Sequence, residues 1–105
     1  MNVGIVGIGT IGKRIAVELD HGRVPGVRVT ALNSRDLAKA MAFAAALASP
    51  PKVCLLREMP SLCDLIIELA IADAVEAILK TALQADLAVM VLSCGALLGQ
   101  THLFE

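Results

Sequence analysis

The stretch that most constrains this chain runs from Val3 to Gly12 and reads Val-Gly-Ile-Val-Gly-Ile-Gly-Thr-Ile-Gly. Val3 to Ile8 is a short apolar run, β-branched at Val3, Ile5, Val6 and Ile8. Such a run suits a strand buried on both faces. It leads into Gly7-Ile8-Gly9-Thr10-Ile11-Gly12, a G-x-G-x-x-G. A helical pattern follows at once, with Ile11, Ile15 and Leu19 spaced by four and Lys13, Arg14 and Glu18 between them. Strand, glycine turn and helix form the context in which this motif points to a dinucleotide and not merely to a glycine-rich turn. Gly7 then permits the tight turn, Gly9 lets a pyrophosphate approach the backbone, and Gly12 lets the helix pack closely on the strand. The start of the helix offers free N–H groups and a partial positive charge to that pyrophosphate.

The remaining chain extends the same alternation. Asp20 to Gly26 carries two glycines and a proline and reads as a turn. Val27 to Leu32 reads as a second strand. Ser34 is placed to cap the next helix, with Asp36 in its first turn. That helix is expected to run to about Ala48 on a stripe of Leu37, Met41, Ala44 and Leu47 or Ala48, before Pro50 and Pro51 stop it. Lys52 to Leu56 is a short strand candidate, Arg57 to Cys63 a loop or single turn around Pro60, and Asp64 to Leu69 the next strand. Val75, Ile78, Leu79, Ala82 and Leu83 give an amphipathic helical stripe. Leu87 to Leu92 is a fifth strand, Ser93 to Ala96 a turn, and a last helical piece begins near Leu97. The order β-α-β-α-β-β-α-β, with right-handed crossovers, predicts an α/β fold of the Rossmann type. It is a doubly wound parallel sheet in the order 3-2-1-4-5, truncated before a sixth strand. Residues 1–105 are expected to form one dinucleotide-binding domain, incomplete at its end.

Composition removes several function classes. The net charge is −1, and Phe43 and Phe104 are the only aromatic residues. A nucleic-acid surface needs clustered basic residues or stacking aromatics, so no nucleic-acid partner is expected. Cys54, Cys63 and Cys94 are odd in number and lack C-x-x-C spacing, which argues against a disulfide framework or a zinc site. Reduced thiols in a cytoplasmic protein are the plain reading. Lys13 and Arg14 follow the first apolar run instead of preceding it, unlike a signal peptide. Leu87 to Leu98 is broken by Ser93 and Gly95 and is too short for a bilayer, so no membrane partner is expected.

Asn33-Ser34-Arg35 lies at the exit of the second strand, about 20 residues beyond Gly12, where an NAD-binding chain usually carries an acid for the ribose 2′-OH. A polar turn and a helix cap account for these residues as well, but their place in the fold favours contact with the adenosine ribose. Without a carboxylate there, NADP is expected to bind at least as well as NAD, with Asp36 as the competing residue. Ser93 and Cys94 invite a nucleophile reading, yet no base accompanies them: His21 lies at the opposite end of the sheet and His102 in the terminal piece. Asp64, Glu68 and Asp73 are spaced along a strand and beyond, and no metal site is expected. Lys13 and Arg14 suit either a phosphate or solvent.

These residues together resemble the N-terminal, coenzyme-binding part of the L-aspartate dehydrogenase family, and more loosely the homoserine dehydrogenase NAD-binding group. The resemblance covers essentially the whole chain. It rests on Gly4 to Gly12, on Leu65-Ile66-Ile67-Glu68-Leu69-Ala70 with the Ala74-Val75 helix after it, and on Leu87 to Leu97 with its Ser93-Cys94-Gly95-Ala96 turn. It implies NAD or NADP as coenzyme and NAD(P)-dependent oxidation of L-aspartate to iminoaspartate. It also implies a catalytic α+β domain, outside these residues, that supplies the substrate pocket, a histidine and a dimer interface. Carried over residue by residue, Gly7, Gly9, Thr10, Ile11 and Gly12 hold the pyrophosphate, Ala70 and Ile71 flank the coenzyme, and Ser93, Cys94 and Ala96 lie near the nicotinamide. No catalytic residue carries over. The chain is thus expected to bind coenzyme without catalysing alone, and to self-associate through the open sheet edge or the C-terminal stub. A non-catalytic nucleotide-binding regulatory module and an inactive truncated remnant are the competing readings.

Overall fold

The computed structural model describes residues 1–69 and 72–91, with side chains 72–76 left aside. The elements in chain order are β1 (Asn2–Val6), α1 (Thr10–Asp20), β2 (Arg28–Asn33), α2 (Leu37–Ala46), β3 (Lys52–Val53), a 3-10 turn (Leu56–Ser61), β4 (Leu65–Glu68), α3 (Ala72–Gln84) and β5 (Ala88–Val91). The strands form one sheet in the order β3-β2-β1-β4-β5, and every pairing is parallel. The expected topology is therefore the observed one. Val6, the last residue of β1, lies opposite Asn33 of β2 and Glu68 of β4, and Glu68 lies opposite Val91 of β5. Four strands thus end level with one another, and the strand order reverses between β1 and β4, where such sheets open a crevice.

Two apolar clusters cover the two faces. Val3, Ile5, Leu32 and Ile67 pack with Ala16 of α1 and with Ala40 and Ala44 of α2. Val6, Ala31 and Ile66 pack on the other face with Cys54, Met59, Cys63 and Ile78 of α3. Both small-residue positions on β1 and α1 are spatially required. A side-chain carbon at Gly4 would lie 2.6 Å from Met59 Cε and 2.9 Å from Cys63 Sγ, so a larger residue there would displace both of these buried side chains from β1.

The helical stripes differ from their expected positions. On α2, Leu37 and Met41 are 49% and 62% exposed, while Ala40 and Ala44 are buried. On α1, Ile11 is 66% exposed, and Gly12 and Ala16 face the sheet. The reason is the same in both helices. Small residues let the helix axis approach the sheet, and the bulky positions of the apparent stripe rotate away from it. Phe43 and Leu47 supply the volume that Leu37 and Met41 do not. Lys13 stands over the Phe43 ring at 5.9 Å and links α1 to α2. At the far end, the Asp20 carboxylate accepts from Ala48 N at 2.8 Å and from Ser49 N at 3.0 Å, which ties the end of α1 to the end of α2.

The third strand is shorter than Lys52 to Leu56, because the chain enters the 3-10 turn at Leu56. No helix among the described residues is long and apolar enough to cross a membrane.

Candidate functional site

The glycine turn joins β1 to α1 at the level where the strands end. Gly7 has φ 96°, in the left-handed region that glycine enters without cost. Its N–H donates to the Asn33 carbonyl at 2.9 Å, so the turn is bonded directly to the exit of β2. On the other side Leu69 N donates to Val6 O at 2.8 Å, which joins the exit of β4 to the same turn. Gly12 has no room for a side chain, because a Cβ there would overlap the Gly7 carbonyl oxygen.

Gly9 has the opposite character. It is the N-cap of α1 with ordinary extended backbone, and a Cβ added to it would meet nothing within 4 Å. The space it faces is open, and no side chain caps the helix there. The helical ladder starts with Lys13 N to Gly9 O at 2.9 Å. The N–H groups of Thr10, Ile11 and Gly12 precede that ladder. No acidic residue lies in the first turn of α1. A cradle of backbone donors at the positive end of a helix, cleared of side chains and carboxylates, fits a pyrophosphate. Gly7, Gly9, Thr10, Ile11 and Gly12 are all brought together in it, and the exposure of Ile11 follows from its place at the mouth.

The exit of β2 carries Asn33, Ser34 and Arg35. Asn33 Nδ2 donates to the Cys54 carbonyl at 2.9 Å and so fastens β2 to the residue after β3. The α2 cap is not Ser34, as its position suggested, but Asp36, whose Oδ1 accepts from Lys39 N at 3.0 Å. The Ser34 hydroxyl oxygen accepts from Asp36 N at 3.3 Å and shapes the turn before the helix. Arg35 is exposed. Beside this exit is an apolar groove of about 150 Å³ lined by Leu37, Met41, Val53, Cys54, Leu55 and Glu58. The Glu58 carboxylate caps the 3-10 turn, with Oε1 accepting from Leu55 N at 2.9 Å, and Oε2 stands 3.9 Å from Lys52 Nζ.

Ala70, Ile71, Ser93, Cys94 and Ala96 lie outside the described residues, as does His102. Among the described residues no cluster of three or more His, Cys, Asp or Glu could hold a metal ion. Asp64 accepts from Asn2 N at 2.8 Å, and Glu68 is fully buried at the end of β4. Burial pushes the Cys54 thiol up, and the Glu58 charge adds to the effect against an opposing Lys52. Burial likewise raises Cys63, with Cys54 beside it as the next cause. Both are protonated core thiols and poor nucleophiles.

Comparison with known proteins fits this arrangement. Over 95 residues the chain is 42% identical to an L-aspartate dehydrogenase of Methanocella arvoryzae, covering 90% of this chain and 35% of that protein. Over its whole length it is 36% identical to L-aspartate dehydrogenase 3 of Bordetella bronchiseptica, of which it covers 39%. The chain therefore spans little more than a third of the length of these relatives. Among solved structures, myo-inositol dehydrogenase of Lactobacillus casei, in complex with NAD(H) and myo-inositol, superposes with a TM-score of 0.75 at 21% identity, over 87% of this chain and 27% of that one. Scyllo-inositol dehydrogenase of the same organism, with NAD(H) and scyllo-inositol bound, gives 0.74 at 19% identity, with the same two coverages. At such identities these two support the fold. Residues 7–105 match the family model described as homoserine dehydrogenase, NAD binding domain, and the chain belongs to that family.

Proposed function

We propose that this chain is the coenzyme-binding part of an L-aspartate dehydrogenase, an oxidoreductase that converts L-aspartate to iminoaspartate with NAD or NADP. The observation that carries the reading is the open position at Gly9, where a Cβ would meet nothing within 4 Å, directly before the N–H groups of Thr10, Ile11 and Gly12 that precede the helical ladder. The pyrophosphate lies there. The adenosine end extends over Asn33, Ser34 and Arg35, with the apolar groove beside them available to the purine ring. The nicotinamide end lies toward the β4 and β5 exits, near Ala70, Ile71, Ser93, Cys94 and Ala96. The coenzyme, when bound, supplies the hydride acceptor. This chain's residues hold and orient it, and a catalytic region outside these residues supplies the substrate pocket.

The substrate assignment is supported by the relatives at 42% and 36% identity, both L-aspartate dehydrogenases. A cytoplasmic location is supported by the free thiols of Cys54 and Cys63. Self-association belongs to the same reading, and no nucleic acid takes part in it.

Calorimetric titration of the 105-residue chain with NAD and NADP, alongside an assay for nicotinamide reduction with L-aspartate, tests the proposal. Binding of coenzyme without turnover is expected, because holding one reactant forgoes the rate gained by orienting both. No binding of either coenzyme overturns the reading of the cradle. Turnover by the chain alone overturns its assignment as the coenzyme-binding part only.

A further inference from the structure

We infer that Glu68 makes the crevice discriminate between the two redox forms of the coenzyme. It favours the oxidised form, whose nicotinamide ring carries a positive charge, over the neutral reduced form. The inference rests on the proposed coenzyme site and goes beyond it by assigning a role to a residue that the pyrophosphate turn does not use.

Glu68 is the last residue of β4 and is fully buried. Among the described residues it is the one charged side chain that is buried. Its neighbours across the sheet are Val6 of β1 and Val91 of β5, both apolar. Side chains alternate along a strand, so Glu68 shares the face of Ile66, which packs with Met59 and with Ile78 of α3. The next residue, Leu69, donates its N–H to the Val6 carbonyl at 2.8 Å, which sets the β4 exit beside the glycine turn. The carboxylate thus lies at the strand ends where β4 and β5 open into the crevice. The proposed function assigns the nicotinamide to that side.

A carboxylate is costly to bury, and a buried basic partner is the usual remedy. All nine Lys and Arg residues of this chain are exposed, so none is buried with it. Hydrogen bonds from neutral donors, and the partial charge of a helix end, hold a carboxylate without cancelling its unit charge. Negative potential therefore remains at the floor of the crevice, in surroundings of low dielectric where a charge is felt at a distance. Hydride transfer changes the charge at that end of the coenzyme. Oxidised nicotinamide is a cation, and the hydride arrives with its electron pair to leave a neutral ring. A fixed negative charge nearby stabilises the first and is nearly indifferent to the second. A purely structural carboxylate would support both forms alike.

The test is calorimetric titration of the chain and its variants with NAD⁺ and NADH, and with NADP⁺ and NADPH. The unaltered chain is expected to bind the oxidised form at least as tightly as the reduced one. Glu68→Gln keeps the size of the side chain and removes its charge. It is expected to weaken the oxidised form by about tenfold and to leave the reduced form within about twofold. Glu68→Met, similar in length and apolar, is expected to change the ratio in the same way and replaces the glutamine variant if that does not fold. If neither folds, the ratio for the unaltered chain decides. Equal weakening of both forms overturns the inference, and so does an unchanged ratio. Reduced coenzyme bound more than about tenfold tighter than oxidised by the unaltered chain overturns it without any variant. Each of these leaves the coenzyme site standing, whereas absence of binding of both forms to the unaltered chain removes the site and the inference together.

Discussion

Gly12 stands against the carbonyl of Gly7, so close that a side-chain carbon on it would overlap the oxygen and lie 3.2 Å from the carbonyl carbon. Gly9, three residues earlier in the same motif, faces open space. Gly12 is required by the protein's own backbone, whereas nothing in the fold requires Gly9, which the proposed function keeps bare for the pyrophosphate.

Alanine substitution separates the two. Gly12→Ala forces the start of α1 away from the turn and is expected to cost about 1–3 kcal/mol of stability or more, as overpacking of a close contact does. Gly9→Ala suffers no clash in the free chain, and its backbone angles suit alanine. The weaker alanine cap and the stiffer unfolded chain act in opposite directions, so its stability should change by no more than about 0.5 kcal/mol. Its coenzyme affinity should nevertheless fall at least tenfold, because the methyl group occupies the approach of the pyrophosphate. Urea denaturation and coenzyme titration on both variants check this. An unstable Gly9→Ala, or one that binds coenzyme normally, contradicts the division of roles.

The buried thiols predict a decline of stability in alkali. Burial raises both Cys54 and Cys63 in the folded chain. Above ~pH 8.5, the ordinary thiol value, the unfolded chain loses these protons first. The folded chain then binds more protons than the unfolded one, so stability falls as pH rises through the window between the unfolded and folded values. It is fully present below that window. Each thiol contributes a slope of at most about 1.4 kcal/mol per pH unit. No tyrosine in the chain obscures the range. Denaturation of the unaltered chain and of the Cys54→Ala/Cys63→Ala double variant, from pH 7 to 10, should give a steeper decline for the former. The slope is the readout, since the variant also loses some packing. Equal slopes would show that neither thiol is held protonated by the fold.

Strand β5 predicts self-association. Among the described residues it pairs with β4 alone, and neither of its faces is fully covered. Ala88 and Met90 are exposed, Met90 to 48%. An exposed apolar edge strand is a template for pairing with another chain. Sedimentation at rising concentration is expected to show dimers or larger species, and Met90→Lys should shift the distribution toward monomer by placing a charge on the edge. A single monomeric species at high concentration, or a Met90→Lys variant that associates as before, would count against this edge.

Much of the molecule was readable from local chemistry. The β-branched run before Gly7, the glycine spacing and the apolar period of the segments carry strand, turn and helix in their own covalent geometry, and the right-handed crossover together with the dinucleotide-type glycine turn points to the order 3-2-1-4-5. The glycine turn at the start of α1, to which the proposed function assigns the pyrophosphate, was legible for the same reason, because a helix N-terminus after such a turn leaves its first N–H groups outside the helical ladder whatever surrounds it. Which side of each helix faces the sheet was not. Leu37, Met41 and Ile11 look like core by spacing, but helix-to-sheet distance is decided by Ala40, Ala44, Ala16 and Gly12, whose small size counts only once a partner surface exists. Nor was the orientation of Asp36 and Glu58. A carboxylate near a ligand site can face the ligand or cap a helix, both within reach of one side chain. Where the helix begins settles between them, and that depends on the packing of the whole layer.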